Sequence, residues 1–276
     1  MRINTNMMAI NAHRLLREND YTRGKSLQRL SSGLRINGAQ DDAAGLAISE
    51  KFRSQVNGLN QAVSNTQDAM NLVQTAEGAL NETEAILQRM RQLAVQGAND
   101  TLTVSDRANI VDELQALVRE IDRIAKDTQF NSKVLLNGGI AATQGFTFQV
   151  GANADQWMNV VINTANAKAL GVLMTQISVD NAYNASTTIF NLDKAIHEVS
   201  SRRSKLGAVI NRMEHTVANL SVQRENMSAS ESRIRDLDMA AEMSTLTKQQ
   251  ILTQSGQAML AQANQLPQQI LQLLRG

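Results

Sequence analysis

The sequence predicts a mainly α-helical protein in which long antiparallel helices form a coiled-coil rod, a small β-hairpin packs as a flap, and the terminal helices pair in a second domain. Three observations support this fold. Apolar residues recur at helical spacing through segments far longer than the usual globular helix. The 276 residues contain one proline, so the usual helix stops are nearly absent. Aromatic residues make up only 3% of the chain, which favours packing through aliphatic and small side chains.

The composition narrows the range of functions before any motif is considered. Lys and Arg number 27 against 26 Asp and Glu, and the resulting net charge of +1 provides no field that attracts a polyanion, so nucleic acid is not favoured as a partner. The lack of cysteine excludes thiol catalysis, thiolate metal sites and disulfides. The sequence contains neither a secretory leader nor an apolar run of about 20 residues. We therefore expect no membrane insertion, and export by another route if the chain leaves the cell.

The first long helix is predicted over residues 46–98. Its apolar residues recur every three or four positions from Phe52 to Ala94 and form one continuous stripe. At about 1.5 Å per residue the helix extends on the order of 80 Å, a length typical of bundles and coiled coils.

A helix stop and a new start follow this segment. The residues GAND at 97–100 are typical of a helix end. Thr103 is followed three positions later by Asp106, which has the form of a capping box. A second helix is therefore predicted to start there, with an apolar stripe from Ile110 to Ile124.

The apolar period changes to two between about residues 143 and 163, which predicts a β-hairpin. The alternating apolar residues are Phe146, Phe148, Val160 and Ile162. The intervening sequence GANADQ suits the turn. Because an isolated strand pair is marginal in water, we expect the hairpin to lie against the helices. Residues 165–186 have no clear periodicity.

The most regular repeat in the chain predicts another long helix over residues 186–227. Arg203 and Arg224 occupy positions on its apolar stripe. Their aliphatic stems can cover apolar surface while the guanidinium groups reach water. We interpret them as register or edge features rather than as ligands.

The two ends of the chain carry helical patterns that would be marginal alone. The N-terminal segment, residues 3–30, is interrupted by Arg14 and Arg17. In the C-terminal segment, apolar residues recur every seven positions. Each of the first three is followed four positions later by another residue of the pattern, and two of these residues are small. The residues of this assembly seam are Leu252, Gly256, Met259, Ala263, Leu266, Ile270 and Leu273. Both segments need partners, either each other or copies of the chain, and open head-to-tail association of identical chains gives a filament.

Motifs for catalysis, cofactor binding and metal binding are missing, so no such site is predicted and the chain is not expected to be an enzyme. His13 lies on the N-terminal segment, far along the chain from His197 and His215, which are 18 positions apart on the helix predicted over residues 186–227. His197 also lacks the second histidine four residues on that a zinc protease requires. Phosphate-binding glycine motifs do not occur. The adjacent Asp41 and Asp42 are interpreted as a solvated turn rather than as paired acids.

The chain has twelve methionines, most of which lie on the apolar stripes. We interpret them as adaptable core filling. The faces opposite the stripes carry Asn, Gln, Ser and mixed charges rather than the basic residues that favour anionic lipid, so an amphipathic membrane binder is not favoured.

Four stretches resemble bacterial flagellin, the subunit of the flagellar filament. They are RLSSGLRINGAQDDAAGLAIS at 29–49, LQRMRQLAVQGAN at 87–99, EIDRIAKDTQFN at 120–131, and the C-terminal residues 232–275 from SRIRDLDMAAEM to QQILQLLR. The resemblance covers both ends and most of the middle. Larger flagellins insert variable outer domains where this chain passes almost directly from the hairpin to the next helix, so it resembles a minimal form with the two inner domains only.

The resemblance implies an inner helical domain from residues 1–45 and 230–276 and an outer rod domain from residues 46–229. It also implies secretion through the flagellar type III apparatus, an export chaperone that binds the C-terminal segment, and assembly of copies beneath a cap next to hook-associated proteins. The location implied is the extracellular filament, and the role is swimming motility.

The same resemblance implies that the chain is a ligand of a host innate immune receptor. The family's contact residues correspond to Arg89 and Leu93 in the LQRMRQL motif and to Glu113 on the next helix. An alternative is that these residues serve only packing between subunits.

The stretch RLSSGLRINGAQDDAAGL, residues 29–46, admits two interpretations: a ligand-binding loop or a connector between two helical parts. With the resemblance in place, it is interpreted as the joint between the two domains. We expect glycines to let the backbone leave and re-enter a helix. Charges here are hypothesised to set contacts between subunits. The joint residues are Gly33, Gly38, Asp41, Asp42 and Gly45.

Two other functions compete with that of a filament subunit. A hook-filament junction protein shares the terminal helices, and copy number would distinguish it. An enzyme carried on a filament scaffold would need a catalytic insertion in the outer region, which this sequence lacks.

Overall fold

The computed structural model describes residues 6–139 and 144–273, with side chains described as far as residue 265. The helices are α1 (Met7–Ser32), α2 (Ala43–Gly97), α3 (Val104–Asp127), α4 (Ala182–Arg235) and α5 (Met239–Leu273). The strands are β1 (Gln129–Phe130), β2 (Lys133–Val134), β3 (Phe146–Gln149) and β4 (Trp157–Val160). The mainly α-helical class with a small hairpin is confirmed.

The chain divides into two compact units. One contains residues 1–54 and 226–276, and the other contains residues 55–225. The domain limits inferred from the sequence, at 45/46 and 229/230, remain a prediction. None of the helices in the described part of the chain is long and apolar enough to cross a membrane.

The core of the unit formed by residues 55–225 follows the predicted apolar stripes. Fully buried side chains from α2, α3 and α4 meet in one cluster, and the largest that these helices contribute are Leu80, Leu87, Met90, Leu114, Ile121, Leu192 and Met213. The capping box at the start of α3 is confirmed, because the Thr103 hydroxyl accepts from the Asp106 amide and the Asp106 carboxylate accepts from the Thr103 amide. The apolar periodicity thus determines which faces of these helices are buried, and the capping box determines where α3 begins.

The predicted hairpin is confirmed, with β3 antiparallel to β4 and Phe146 opposite Val160. Strand β4 ends at Val160 rather than at Ile162, although Ile162 stays buried. The hairpin lies on α2, where the Asn65 side-chain amide donates to the Gln149 carbonyl at 3.2 Å. The residues between β4 and α4 follow no regular period, and they bury Leu170, Val172, Ile177 and Val179.

Polar side-chain contacts connect α4 to α2. Arg203 contacts Glu77 and Glu84, each at 2.7 Å, and its hydrogen bonds to these carboxylates raise the pKa of its guanidinium. Arg224 donates to the Asn60 side chain at 3.2 Å. These contacts fit the interpretation of Arg203 and Arg224 as register features, because each ties α4 to one position along α2.

Candidate functional site

Helices α1 and α5 pair through small and polar residues. The side chain of Asn6 donates to the Ala263 carbonyl at 2.7 Å, and it also caps α1 by accepting from the Ala9 amide. A Cβ at Gly256 would lie 3.0 Å from Leu16 Cδ1, so the helices approach closely there. Ser26 and Thr253 are buried in this unit. Small side chains thus let the two helices come together without a large apolar core.

Much of the apolar surface of α1 and α5 remains exposed. Met8 and Leu15 on α1, with Leu252 and Met259 on α5, line a groove of about 450 Å³ between the helices, and Met259 is 60% exposed. We call these four residues the exposed α1/α5 face. The expectation that the methionines fill the core is wrong for five that are about half exposed or more: Met7, Met8, Met239, Met243 and Met259. This pairing leaves apolar surface that a further partner can bury.

The residues of the predicted assembly seam lie in two different environments. Ala263 is buried against α1, whereas Leu252 and Met259 belong to the exposed α1/α5 face. Leu266, Ile270 and Leu273 lie outside the residues whose side chains are described. The seam therefore provides both a contact within the molecule, through Ala263, and an exposed apolar surface, through Leu252 and Met259.

The joint between α1 and α2 is held by backbone hydrogen bonds to the end of α4 and to the residues that follow it. Gly33 ends α1 in a left-handed conformation with a φ of +70°, which glycine adopts without a Cβ clash. Its carbonyl accepts from the Leu237 amide at 3.0 Å, and the Arg35 amide donates to the Arg235 carbonyl at 2.7 Å. These bonds form an antiparallel bridge at Leu34, so the joint is a fixed connection rather than a free loop.

The other two glycines of the joint differ in their surroundings. A Cβ at Gly45 would lie 2.8 Å from Cδ1 of the buried Ile36, so glycine there permits close packing. A Cβ at Gly38 would meet only Gln40 Cγ at 4.0 Å, and Gly38 has no positive φ. The structure therefore gives a steric reason for Gly33 and Gly45 but none for Gly38.

The two aspartates of the joint have separate roles. Asp42 caps α2, because its carboxylate accepts from the Gly45 amide at 2.9 Å. The Asp41 side chain is only 6% exposed and lies 2.7 Å from the Lys25 ammonium of α1, while it also accepts from the Asn37 amide. The expectation of a solvated turn is therefore wrong for Asp41. Its contact with Lys25 lowers the pKa of the Asp41 carboxyl, and the Asn37 hydrogen bond adds to this effect.

We expect the variant Asp41→Asn to lose less stability in acid than the parent chain. A lowered pKa means that the folded protein favours the carboxylate. The stabilisation is complete above about pH 4, the ordinary pKa of aspartate, and is lost as the pH falls through the lower folded value. Thermal unfolding followed by circular dichroism below about pH 4 measures this slope. Parallel curves for the two proteins would contradict the role of Asp41.

The three residues assigned to receptor binding are close together but differ in exposure. Arg89 of α2 forms a pair with Glu113 of α3, with an Nη2–Oε1 distance of 2.8 Å, and both side chains are about half exposed. Leu93 is 2% exposed and belongs to the core. Arg89 and Glu113 are thus available to a partner, whereas Leu93 supports the helix that carries Arg89.

Models of one protein family match two long segments of the chain. The family model for the bacterial flagellin N-terminal helical region matches residues 3–141, and that for the bacterial flagellin C-terminal helical region matches residues 189–274. The chain belongs to the bacterial flagellin family. Flagellins are structural proteins that self-assemble, and this flagellin is a subunit of the bacterial flagellar filament.

Individual relatives match this chain along its whole length. The flagellin of Bacillus subtilis strain 168 is 49% identical over 304 residues, and that of Halalkalibacterium halodurans is 50% identical over 275 residues, each alignment covering all of both chains. The crystal structure of Bacillus cereus flagellin is 32% identical with a TM-score of 0.50, covering 61% of this chain and 94% of that one. The 275 aligned positions of the Halalkalibacterium halodurans flagellin are close to the 276 residues of this chain.

Proposed function

We propose that neighbouring copies bury the exposed α1/α5 face when the filament forms. The observation that carries this proposal is the apolar groove between α1 and α5, which their pairing leaves open. Burial of a Leu or Met side chain contributes about 1.5–3 kcal/mol, so repeated contacts at this face would drive polymerisation. Seeded growth of purified monomers tests the proposal directly.

We further propose that an export chaperone covers the same face before assembly, during secretion to the extracellular filament. Besides Leu252 and Met259, helix α5 exposes three further apolar side chains along its length: Met239, Met243 and Ile251. Such a surface would promote premature association inside the cell if it remained uncovered. Binding of α5 by one partner at a time would separate export from polymerisation, which then continues beneath the cap and next to hook-associated proteins.

The second proposed role is recognition by a host innate immune receptor through Arg89 and Glu113. Both side chains are exposed on adjacent helices, and their ion pair leaves further hydrogen-bonding capacity on each group. Leu93 is proposed to act as a positioning residue, since it packs in the core one helical turn from Arg89. The alternative, that the three residues serve only packing between subunits, leads to a different result in the experiment below.

We expect Arg89→Ala in the monomer to raise the concentration for half-maximal receptor activation by roughly 30-fold, the effect of an interface arginine worth about 2 kcal/mol. The Arg89–Glu113 pair is exposed, so its loss should change folding stability by less than about 1 kcal/mol. A reporter-cell assay measures the response.

The matched control is Arg91→Ala, which removes an equally exposed arginine two residues on that pairs with Asp193 at 2.6 Å. This control should leave activation nearly unchanged. An unchanged response to Arg89→Ala would remove Arg89 from the receptor site and favour the packing alternative.

A hook-filament junction protein remains the alternative within the same structural family. The near 50% identity to flagellins over the whole chain favours the main filament. The number of copies per flagellum separates the two roles, because a filament subunit is present in many more copies than a junction protein. We propose no catalytic role for either.

A further inference from the structure

Three Asn–Gly pairs occur in the chain: Asn37–Gly38, Asn57–Gly58 and Asn137–Gly138. In such a pair the glycine nitrogen can attack the asparagine side-chain carbonyl, because no Cβ on the glycine obstructs the approach. The attack needs a backbone free to rotate away from helical geometry. The rate of this reaction at an Asn–Gly pair therefore depends on the local structure around the pair.

The structure places these pairs in three different environments. Asn57 is exposed but lies within α2, where the backbone is held by the helical hydrogen-bond ladder. Asn37 is half-buried, its side-chain amide donates to the Leu34 carbonyl at 3.5 Å, and its own amide donates to Asp41 at 3.1 Å. Asn137 is exposed and lies outside every helix and strand, and Gly138 has a φ of +85°.

We propose that Asn137 is the site of spontaneous deamidation in the folded protein. Its side-chain amide makes no hydrogen bond to any residue that the structure describes, so nothing in that part of the chain holds it away from the Gly138 nitrogen. Exposure alone does not select this site, since Asn57 is exposed as well. The selecting feature is exposure combined with a backbone outside regular structure.

The reaction needs only solvent water. The Gly138 nitrogen forms a bond to Asn137 Cγ, the bond from Cγ to the side-chain nitrogen breaks, and ammonia leaves with the proton from Gly138. Water then opens the resulting succinimide at either carbonyl, giving aspartate or isoaspartate. Each event adds one negative charge, and isoaspartate also lengthens the main chain by one methylene.

The lengthened backbone would disturb a close contact next to the core. A Cβ at Gly138 would lie 2.7 Å from Thr164 Oγ1, so the loop has little free space on that side. The preceding Leu136 is fully buried, and its carbonyl accepts from the Ala165 amide at 2.9 Å. Isoaspartate at 137 is therefore expected to loosen the packing of residues 164–165.

Peptide mapping by mass spectrometry after incubation of the full-length monomer at mildly alkaline pH tests the proposal. Asn137 is expected to deamidate roughly tenfold or more faster than Asn57, because a site inside a helix must first open locally, and Asn37 is expected to fall between them. In denaturant the three rates should converge. The measurement is independent of filament assembly, so its outcome does not depend on the proposed function.

A variant provides the second arm of the test. Asn137→Gln should abolish most of the isoaspartate detected by an isoaspartyl methyltransferase, since glutamine cyclises far more slowly through a larger ring. Equal rates at the three sites in the folded protein, a faster rate at Asn37 or Asn57, differences that persist in denaturant, or undiminished isoaspartate in the variant would each overturn the proposal.

Discussion

Replacement of both Leu252 and Met259 by asparagine is expected to abolish seeded filament growth. Both side chains lie on the exposed α1/α5 face, so the substitutions should leave the pairing of α1 with α5 intact. Loss of about 2 kcal/mol of burial at each position amounts to about 4 kcal/mol per subunit, which raises the critical concentration for growth roughly a thousandfold.

Light scattering and electron microscopy after addition of filament seeds to heat-dissociated monomers measure this growth. The control Gln257→Asn changes an exposed residue on the opposite side of α5 and should permit near-normal growth. Deletion of residues 249–276 removes the α5 half of the face and should also prevent growth. Normal filaments from the double variant or from the truncated chain would refute the proposed assembly face.

The helices and the hairpin could be predicted because their signals are local. A 3.6-residue repeat of apolar positions determined α2 and α3, and Thr103 with Asp106 determined where α3 begins. The segment between β4 and α4 could not be predicted, since it buries Val172 and Val179 through irregular backbone. Periodicity carries no information about such a segment.

The candidate site was less predictable, because its decisive contacts join distant parts of the sequence. The Asp41 carboxylate is in contact with Lys25, which belongs to α1. The bridge at Leu34 has its partner about 200 residues later in the chain. The pattern around Arg89 and Leu93 identified a shared motif but not which side chain reaches the surface. Burial depends on which elements pack on that side of α2, and the motif does not encode this.

Two glycines of α2 allow the packing of the hairpin to be tested with the same substitution. A Cβ at Gly58 would lie 2.9 Å from Ala152 Cβ and 3.3 Å from its Cα, so the turn between β3 and β4 rests directly on this glycine. Gly78 has no heavy atom within 4 Å of such a Cβ. Alanine also favours a helix over glycine by about 1 kcal/mol at either position.

We therefore expect Gly58→Ala and Gly78→Ala to change stability in opposite directions. Gly78→Ala should stabilise the protein by up to about 1 kcal/mol. Gly58→Ala should destabilise it, because overpacking costs about 1–3 kcal/mol and the obstructing atoms include backbone of the turn, which cannot rotate aside as a side chain can. The helical gain offsets only part of this cost.

Urea unfolding followed by tryptophan fluorescence reports on the hairpin specifically, because the only tryptophan in the chain is Trp157 on β4. Far-ultraviolet circular dichroism of the same samples reports on the helices. In Gly58→Ala the fluorescence transition should move to lower urea and shift further than the helical signal, since the turn is displaced first. Stabilisation by both substitutions would mean that the hairpin does not need glycine at position 58 in order to dock on α2.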